Sequence, residues 1–138
     1  MAELPTRKYL NLAAIKTMVA AAEAEAAKRN VQVTICIVDE SGNLLFFQKA
    51  DGLGLNTIKY AQGKARYAAA YGRASKVAAD KLTGGDLTAL VMPDSFPNQG
   101  GVPIKVDGIT IGAIACSGAP SEVDEAISQS AIDMLLMQ

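Results

Sequence analysis

Whatever chemistry this chain does, it does without histidine, because its 138 residues include none. That removes the histidine-based triads, the usual zinc and facial-triad iron sites, and the commonest haem ligand. The groups left for chemistry are few. Lys64 and Arg66 lie in GKARYAAAYGR, where alanines recur at helical spacing. A cation beside a buried face is costly unless it reaches water or a partner. Lys64 therefore either runs its stem out to solvent or turns into a pocket to meet an acidic group, where it could also transfer protons. Gly100 and Gly101, followed by Val102, let the chain turn tightly from loop to strand; their unobstructed backbone N–H groups could equally form an anion-binding concavity. Ser117-Gly118 either simply ends a strand or offers a hydroxyl and helix-side amides to a carboxylate. The candidate binding set is thus Lys64, Gly100, Gly101, Val102, Ser117 and Gly118, with Lys64 the one catalytic candidate. Asp39, Glu40, Asp51 and Asp94 fall in turns or loops, where solvated carboxylates are the rule. Neither GxGxxG nor a phosphate-loop pattern occurs, which argues against a nucleotide enzyme, and no metal site is expected.

Composition bounds the rest. One domain of this size can bury a core without disulfides or metals. Half of the residues are hydrophobic but only 5% are aromatic, so the filling is aliphatic and alanine-rich. With a net charge of -1 and no tryptophan, a nucleic-acid partner is not expected. Cys36 and Cys116 sit inside strand-like runs and read as buried free thiols. The N-terminal stretch is no secretory signal and no run approaches a membrane span, so a cytoplasmic protein without a membrane partner is expected. Charge is uneven along the chain. Between Asn56 and Lys81 six bases meet one acid, whereas from Leu82 onward Lys105 faces seven acids. These segments could attract one another between subunits, with Arg73 and Lys76 as contacts, or simply be solvated helix faces.

The elements that must position the candidates follow from periodicity. Residues 1–10 read as a loose arm and 11–138 as a single domain. Asn11 can cap a helix with Leu12, Ile15, Val19, Ala22 and Ala26 on one stripe, stopping near Asn30. Val31 to Val38 and Leu44 to Lys49, joined by Ser41-Gly42-Asn43, form a first hairpin. Asn56 or Thr57 can cap a second helix whose face, Ile58, Ala61, Ala65 and Ala68, closes at Tyr71-Gly72. A short helix spans Ser75 to Thr83, and Leu87 to Met92 reads as either a buried strand or a helical turn, with strand favoured. Val102 to Val106 and Ile109 to Cys116 pair across Asp107-Gly108, the second being a central strand covered on both sides, with Ile109, Ile111, Ala113 and Ala115 on one face. A last helix starts at Ser121, with Asp124 near a capping-box position and Val123, Ala126, Ile127, Ala131, Met134 and Leu135 as its stripe. This order gives an α+β class, an antiparallel sheet with helices packed on it.

GGVP, the Asp-Gly turn, IGAIACSG and the acidic helix start SEVD, preceded by VDESGNLLFFQKADG and GKARYAAAYGR, together resemble the GlcG/HbpS family, with the C-terminal domain of PduO-type proteins among its relations. The resemblance covers the chain from Leu12 onward. It implies a profilin-like α/β/α sandwich with about five strands, usually oligomeric, with a ligand pocket and a matching lysine in the same Lys-Ala context as Lys64. It also implies a small binding or accessory protein of a catabolic operon, holding a small anionic metabolite or a tetrapyrrole-like cofactor. Two alternatives stand beside this: an acid/base enzyme acting on a small carboxylated or hydroxylated metabolite, and a structural assembly module without a ligand. The family's haem binding has been tied to histidine in some members. Here haem would have to bind without it, through Tyr9, Tyr60, Tyr67, Tyr71, Met92 or a cysteine.

Overall fold

The computed structural model describes residues 1–137. Its elements run α1 (Leu12–Lys28), β1 (Thr34–Asp39), β2 (Leu44–Gln48), α2 (Asn56–Tyr71), α3 (Lys76–Thr83), a 3-10 turn (Leu87–Leu90), β3 (Gly101–Val106), β4 (Ile109–Ser117) and α4 (Ser121–Leu136). The strands form one antiparallel sheet in the order β2-β1-β4-β3, so β4 is central, as its two apolar faces require. On one face α2 lays Ala61, Ala65, Ala68 and Ala69 against Cys36, Val38, Ala113 and Ala115. On the other, α1 and α4 bury Met18, Ala22, Ile127 and Ala131 with Ile35, Ile37, Ile104, Ile114 and Cys116. The result is an α/β/α sandwich.

Local chemistry explains the helix ends. The Asn11 side chain accepts from Ala14 N at 2.9 Å to start α1, and Asn30 turns left-handed (φ 57°) just past its end. α2 stops at Gly72, also left-handed at φ 62°. Leu10 is buried and joins the α1 side of the core.

Several details differ from the sequence reading. The sheet has four strands, not about five, because Leu87 to Met92 does not pair. Asp86 caps this segment by accepting from Thr88 N, and Leu87–Leu90 winds as a 3-10 turn with Leu87 and Leu90 exposed and Ala89 buried. A strand there would need a neighbour, and α3 is the only element it packs on extensively. In β4, Ile111 packs with Ile114 and Cys116 instead of with Ala113. The β3–β4 register slips between Ile104 and Lys105, leaving Ile111 unpaired and breaking the period of two. Neither Asn56 nor Thr57 caps α2; Leu55 occupies the cap position and makes no side-chain bond. The buried stripe of α4 is Asp124, Ile127, Ser128, Ala131 and Ile132, rotated from the expected one so that a carboxylate faces inward.

Candidate functional site

Lys64 lies on the buried stripe of α2, with Thr57, Ala61, Ala65 and Ala68. Small neighbours let the helix sit so close to the sheet that the lysine cannot leave sideways. Its Nζ donates to Cys116 O at 3.0 Å, at the end of β4, and to Asp124 Oδ2 at 3.1 Å, in the first turn of α4. Both side chains are 2% exposed, so this is a buried ion pair. The second carboxylate oxygen of Asp124 accepts from Ala119 N at 3.1 Å, which satisfies the strand-to-helix connection. Burial pushes the Asp124 carboxyl above the usual aspartate range, while Lys64 and the Ala119 N–H pull the other way.

The glycine pair stands behind this ion pair. A Cβ on Gly100 would lie 2.7 Å from Lys64 Nζ and 2.8 Å from Cys116 O; one on Gly101 would lie 2.3 Å from Lys64 O. Gly101 also exchanges bonds with Ser75, donating to its Oγ at 2.9 Å and accepting from its N at 3.0 Å. Ser128 Oγ donates to Gly100 O at 2.9 Å. The Gly101 N–H and the carbonyls of Gly100 and Gly101 are therefore spent on the protein.

In front of the pair opens a cleft of about 380 Å³, lined by Lys64 and Asp124, by Ser117 and Gly118, and by Asn56, Thr57, Tyr60, Asn98 and Ser121 among others. The N-terminal ends of α2 and α4 both reach it, and neither carries a side-chain cap. Two sets of partial positive charge thus converge where the ammonium's own charge is offset by Asp124. At the back wall the Thr34 and Thr57 hydroxyls are 2.9 Å apart, and Thr57 donates to Gly54 O at 2.8 Å. Tyr60 and Asn98 form the rim, with Phe96 edge-on to Tyr60 at 5.4 Å.

Of the candidates read from sequence, Lys64, Ser117 and Gly118 meet in this cleft. Gly100, Gly101 and Val102 do not line it; they form the close-packed wall behind Lys64, since the space beside the glycines is filled by that residue. Asp124, Thr57 and Asn98 line the cleft without standing among the candidates, and Tyr60 was a candidate only as a haem ligand. A signal for two of them was present: Thr57 and Asp124 are polar groups at the spacing of a buried helical stripe. Arg73, read as a subunit contact, donates to Tyr67 Oη at 2.9 Å and lies over Tyr67 and Tyr71, while Lys76 pairs with Asp80 in the same helix. Cys36 and Cys116 are buried free thiols, each pushed up to about 12 by burial, and so inert.

A larger groove of about 460 Å³ lies between residues 6–8 and the β3–β4 turn. Its charged groups form exposed pairs, Arg7 with Glu40 and Lys8 with Asp107, and no buried polar side chain faces it. Among the described residues there is no metal-holding cluster and no helix long and apolar enough to cross a membrane.

The titration of Asp124 carries a signed prediction. The folded state holds this proton more tightly than the unfolded chain, so the group's contribution is greatest below its ordinary value of 3.8 and declines as pH rises from there to the folded value. Carbon-detected NMR should find Asp124 titrating above 3.8. A midpoint below that would mean that the ion pair outweighs burial.

Fold and site together define a class: an α/β/α sandwich with a polar cleft at the end of its central strand, floored by a lysine–aspartate pair that joins the two helical layers. The chain belongs to the haem degrading protein HbpS-like family, whose model matches residues 10–133. It is 32% identical over 114 residues to protein GlcG of Escherichia coli strain K12, covering 83% of this chain and 85% of that protein. Among solved structures, Klebsiella pneumoniae protein ORFY superposes with a TM-score of 0.89 at 25% identity, over 100% of this chain and 98% of the other. A PduOC:haem complex superposes with a TM-score of 0.83 at 27% identity, over 92% and 95%.

Proposed function

We propose that this chain is a small-molecule-binding accessory protein that holds a small carboxylate, or an anion of like size, in the Lys64–Asp124 cleft. The observation that carries the reading is the buried ion pair at the meeting point of two uncapped helix N-termini. Lys64 has spent two of its three protons and each Asp124 oxygen has accepted one bond, so the floor retains both a donor and an acceptor for a ligand. Partial positive charge from α2 and α4 selects an anionic group. Ser117, Ser121, Asn56 and Asn98 supply neutral hydrogen bonds around it. Cytoplasmic location, self-association and a place beside catabolic enzymes belong to the same reading, carried by the family resemblance.

Haem, which the PduOC relative holds in its complex, fits this cleft poorly. With no histidine in the chain, the lining offers as axial ligands Tyr60 and a Lys64 already committed to Asp124, and most of the lining is polar where a macrocycle needs apolar contact. Native mass spectrometry of freshly purified protein, followed by calorimetric titration with two- to four-carbon mono- and dicarboxylates, tests the assignment. The expected result is a retained or titrating carboxylate whose affinity falls at least about tenfold in Ser121→Val, for the loss of one charge-assisted hydrogen bond. A Soret shift on haem titration without any carboxylate binding would overturn it.

A second reading rests on the raised Asp124 carboxyl: such a group beside Lys64 can pass a proton to or from a bound hydroxy or keto acid. It requires turnover of a bound carboxylate with a pH profile that changes in Asp124→Asn. Absence of turnover across the same panel would leave binding alone.

A further inference from the structure

The loop 93–99 runs from α2 to α4 past the rim of the cleft, and it is tied at both ends. Its first half is held by Tyr71 Oη, which donates to Pro93 O, by Ser95 Oγ, which donates to Ala89 O, and by Arg66 beside Asp94 at 3.4 Å. At the far end Gln99 Nε2 donates to Glu125 Oε2 of α4 at 3.0 Å. Between these ties Phe96 is set into α2. A Cβ on Gly63 would stand 2.3 Å from Phe96 Cδ1 and 2.6 Å from its Cγ, so the ring fills the place where residue 63 would carry a side chain. The same ring meets Tyr60, one turn earlier on the helix, edge-on. The backbone of α2 does not ask for glycine there, since residue 63 has no left-handed dihedral and glycine is a poor helix former. The ring does. Asn98 turns directly off this wedge, its N–H donating to Phe96 O at 2.7 Å. Its side chain lines the cleft and has no hydrogen-bond partner in the protein, which leaves two amide protons and a carbonyl oxygen for a ligand.

We propose that Phe96, wedged onto Gly63, is a positioning residue for the cleft: it holds Asn98 at the rim, where the Asn98 amide hydrogen-bonds the bound carboxylate. The inference rests on the carboxylate reading of the cleft and adds to it how the rim is set. A loop donor contributes fully to affinity only when it stands in place before the ligand arrives, because ordering the loop on binding draws on the same free energy. The wedge supplies that order from α2, and the Gln99–Glu125 bond supplies it from α4. Asn98 lies between them with its backbone bonded and its side chain free.

Calorimetric titration of the full chain with the two- to four-carbon carboxylates, paired with amide hydrogen exchange, tests it. Asn98→Ala should weaken binding about fivefold, the worth of one hydrogen bond. Gly63→Ala evicts the ring and should weaken binding by a similar factor while speeding exchange at the Asn98 N–H. The far-ultraviolet circular dichroism should stay unchanged, because alanine suits a helix better than glycine. Together the two substitutions should bind no more than about twofold worse than Gly63→Ala alone, since an amide already displaced has no bond left to lose. Phe96→Ala empties the same seat without a clash in α2 and should reproduce both effects, which keeps the test decisive should Gly63→Ala disturb the helix. Undiminished affinity or unchanged exchange in Gly63→Ala and Phe96→Ala would overturn the positioning role and leave the carboxylate reading intact. So would a full further loss on adding Asn98→Ala to Gly63→Ala. A wild-type protein that binds none of these carboxylates would overturn both.

Discussion

Replacing Lys64 by methionine is expected to cost about 3–5 kcal/mol, the range for removing one partner of a buried ion pair. The reason is what remains: a carboxylate 2% exposed, with one backbone N–H for company. Asp124→Asn should cost a similar amount by stranding the ammonium against Cys116 O. The double substitution Lys64→Met with Asp124→Leu should cost less than the sum of its parts by at least about 1 kcal/mol, because neither charge is then left unpaired. It will not be free, since Ala119 N and Cys116 O each lose a partner. Urea denaturation checks this directly, through midpoints at unchanged slope. Strict additivity would mean that the two groups do not act as a pair. If the double variant folds, it also separates roles: a stable protein that no longer binds a carboxylate makes the pair functional, and one that binds normally makes it architectural.

The second large effect is at Gly101. An added Cβ would stand 2.3 Å from the Lys64 carbonyl oxygen and 2.7 Å from its carbon, backbone against backbone, so no rotamer can relieve it. Either α2 lifts from the sheet or β3 leaves β4. Gly101→Ala should therefore cost about 3 kcal/mol, the upper part of the range for overpacking. Gly108→Ala is the matched control: it has a left-handed φ of 78° but nothing within 4 Å, so it isolates backbone strain, about 1–2 kcal/mol. Thermal or urea denaturation of the two variants should rank Gly101→Ala as clearly the worse. Equal losses would show that α2 does not press on the glycine pair.

These two tests mark where local pattern stopped and packing took over. Most of the α1 and α2 stripes, the Asn11 cap, the Asp107-Gly108 turn and the centrality of β4 were readable along the chain; the stripe of α4 was not. Each is an outcome of periods of 3.6 or 2 and of turn chemistry within a few residues. Lys64 was readable too, as a cation inside an alanine face that had to find a partner. Its partner was not, because Asp124 is 60 residues away and turns inward only through the rotation of α4 against β4. The failure of Leu87 to Met92 to be a strand has the same origin. An apolar run becomes a strand only when it lies along a sheet edge, and this one packs on α3 instead of beside β2 or β3. By itself the amino-acid order determined the order of the helices and most of the strands, the start of α1 and that no histidine chemistry is available. The tertiary structure alone decided that the glycine pair packs against the lysine instead of facing a ligand, and that two helix ends share one cleft. The physical reason is that periodicity is set by covalent neighbours, whereas partners across a core are chosen by shape and by the cost of leaving a buried charge alone.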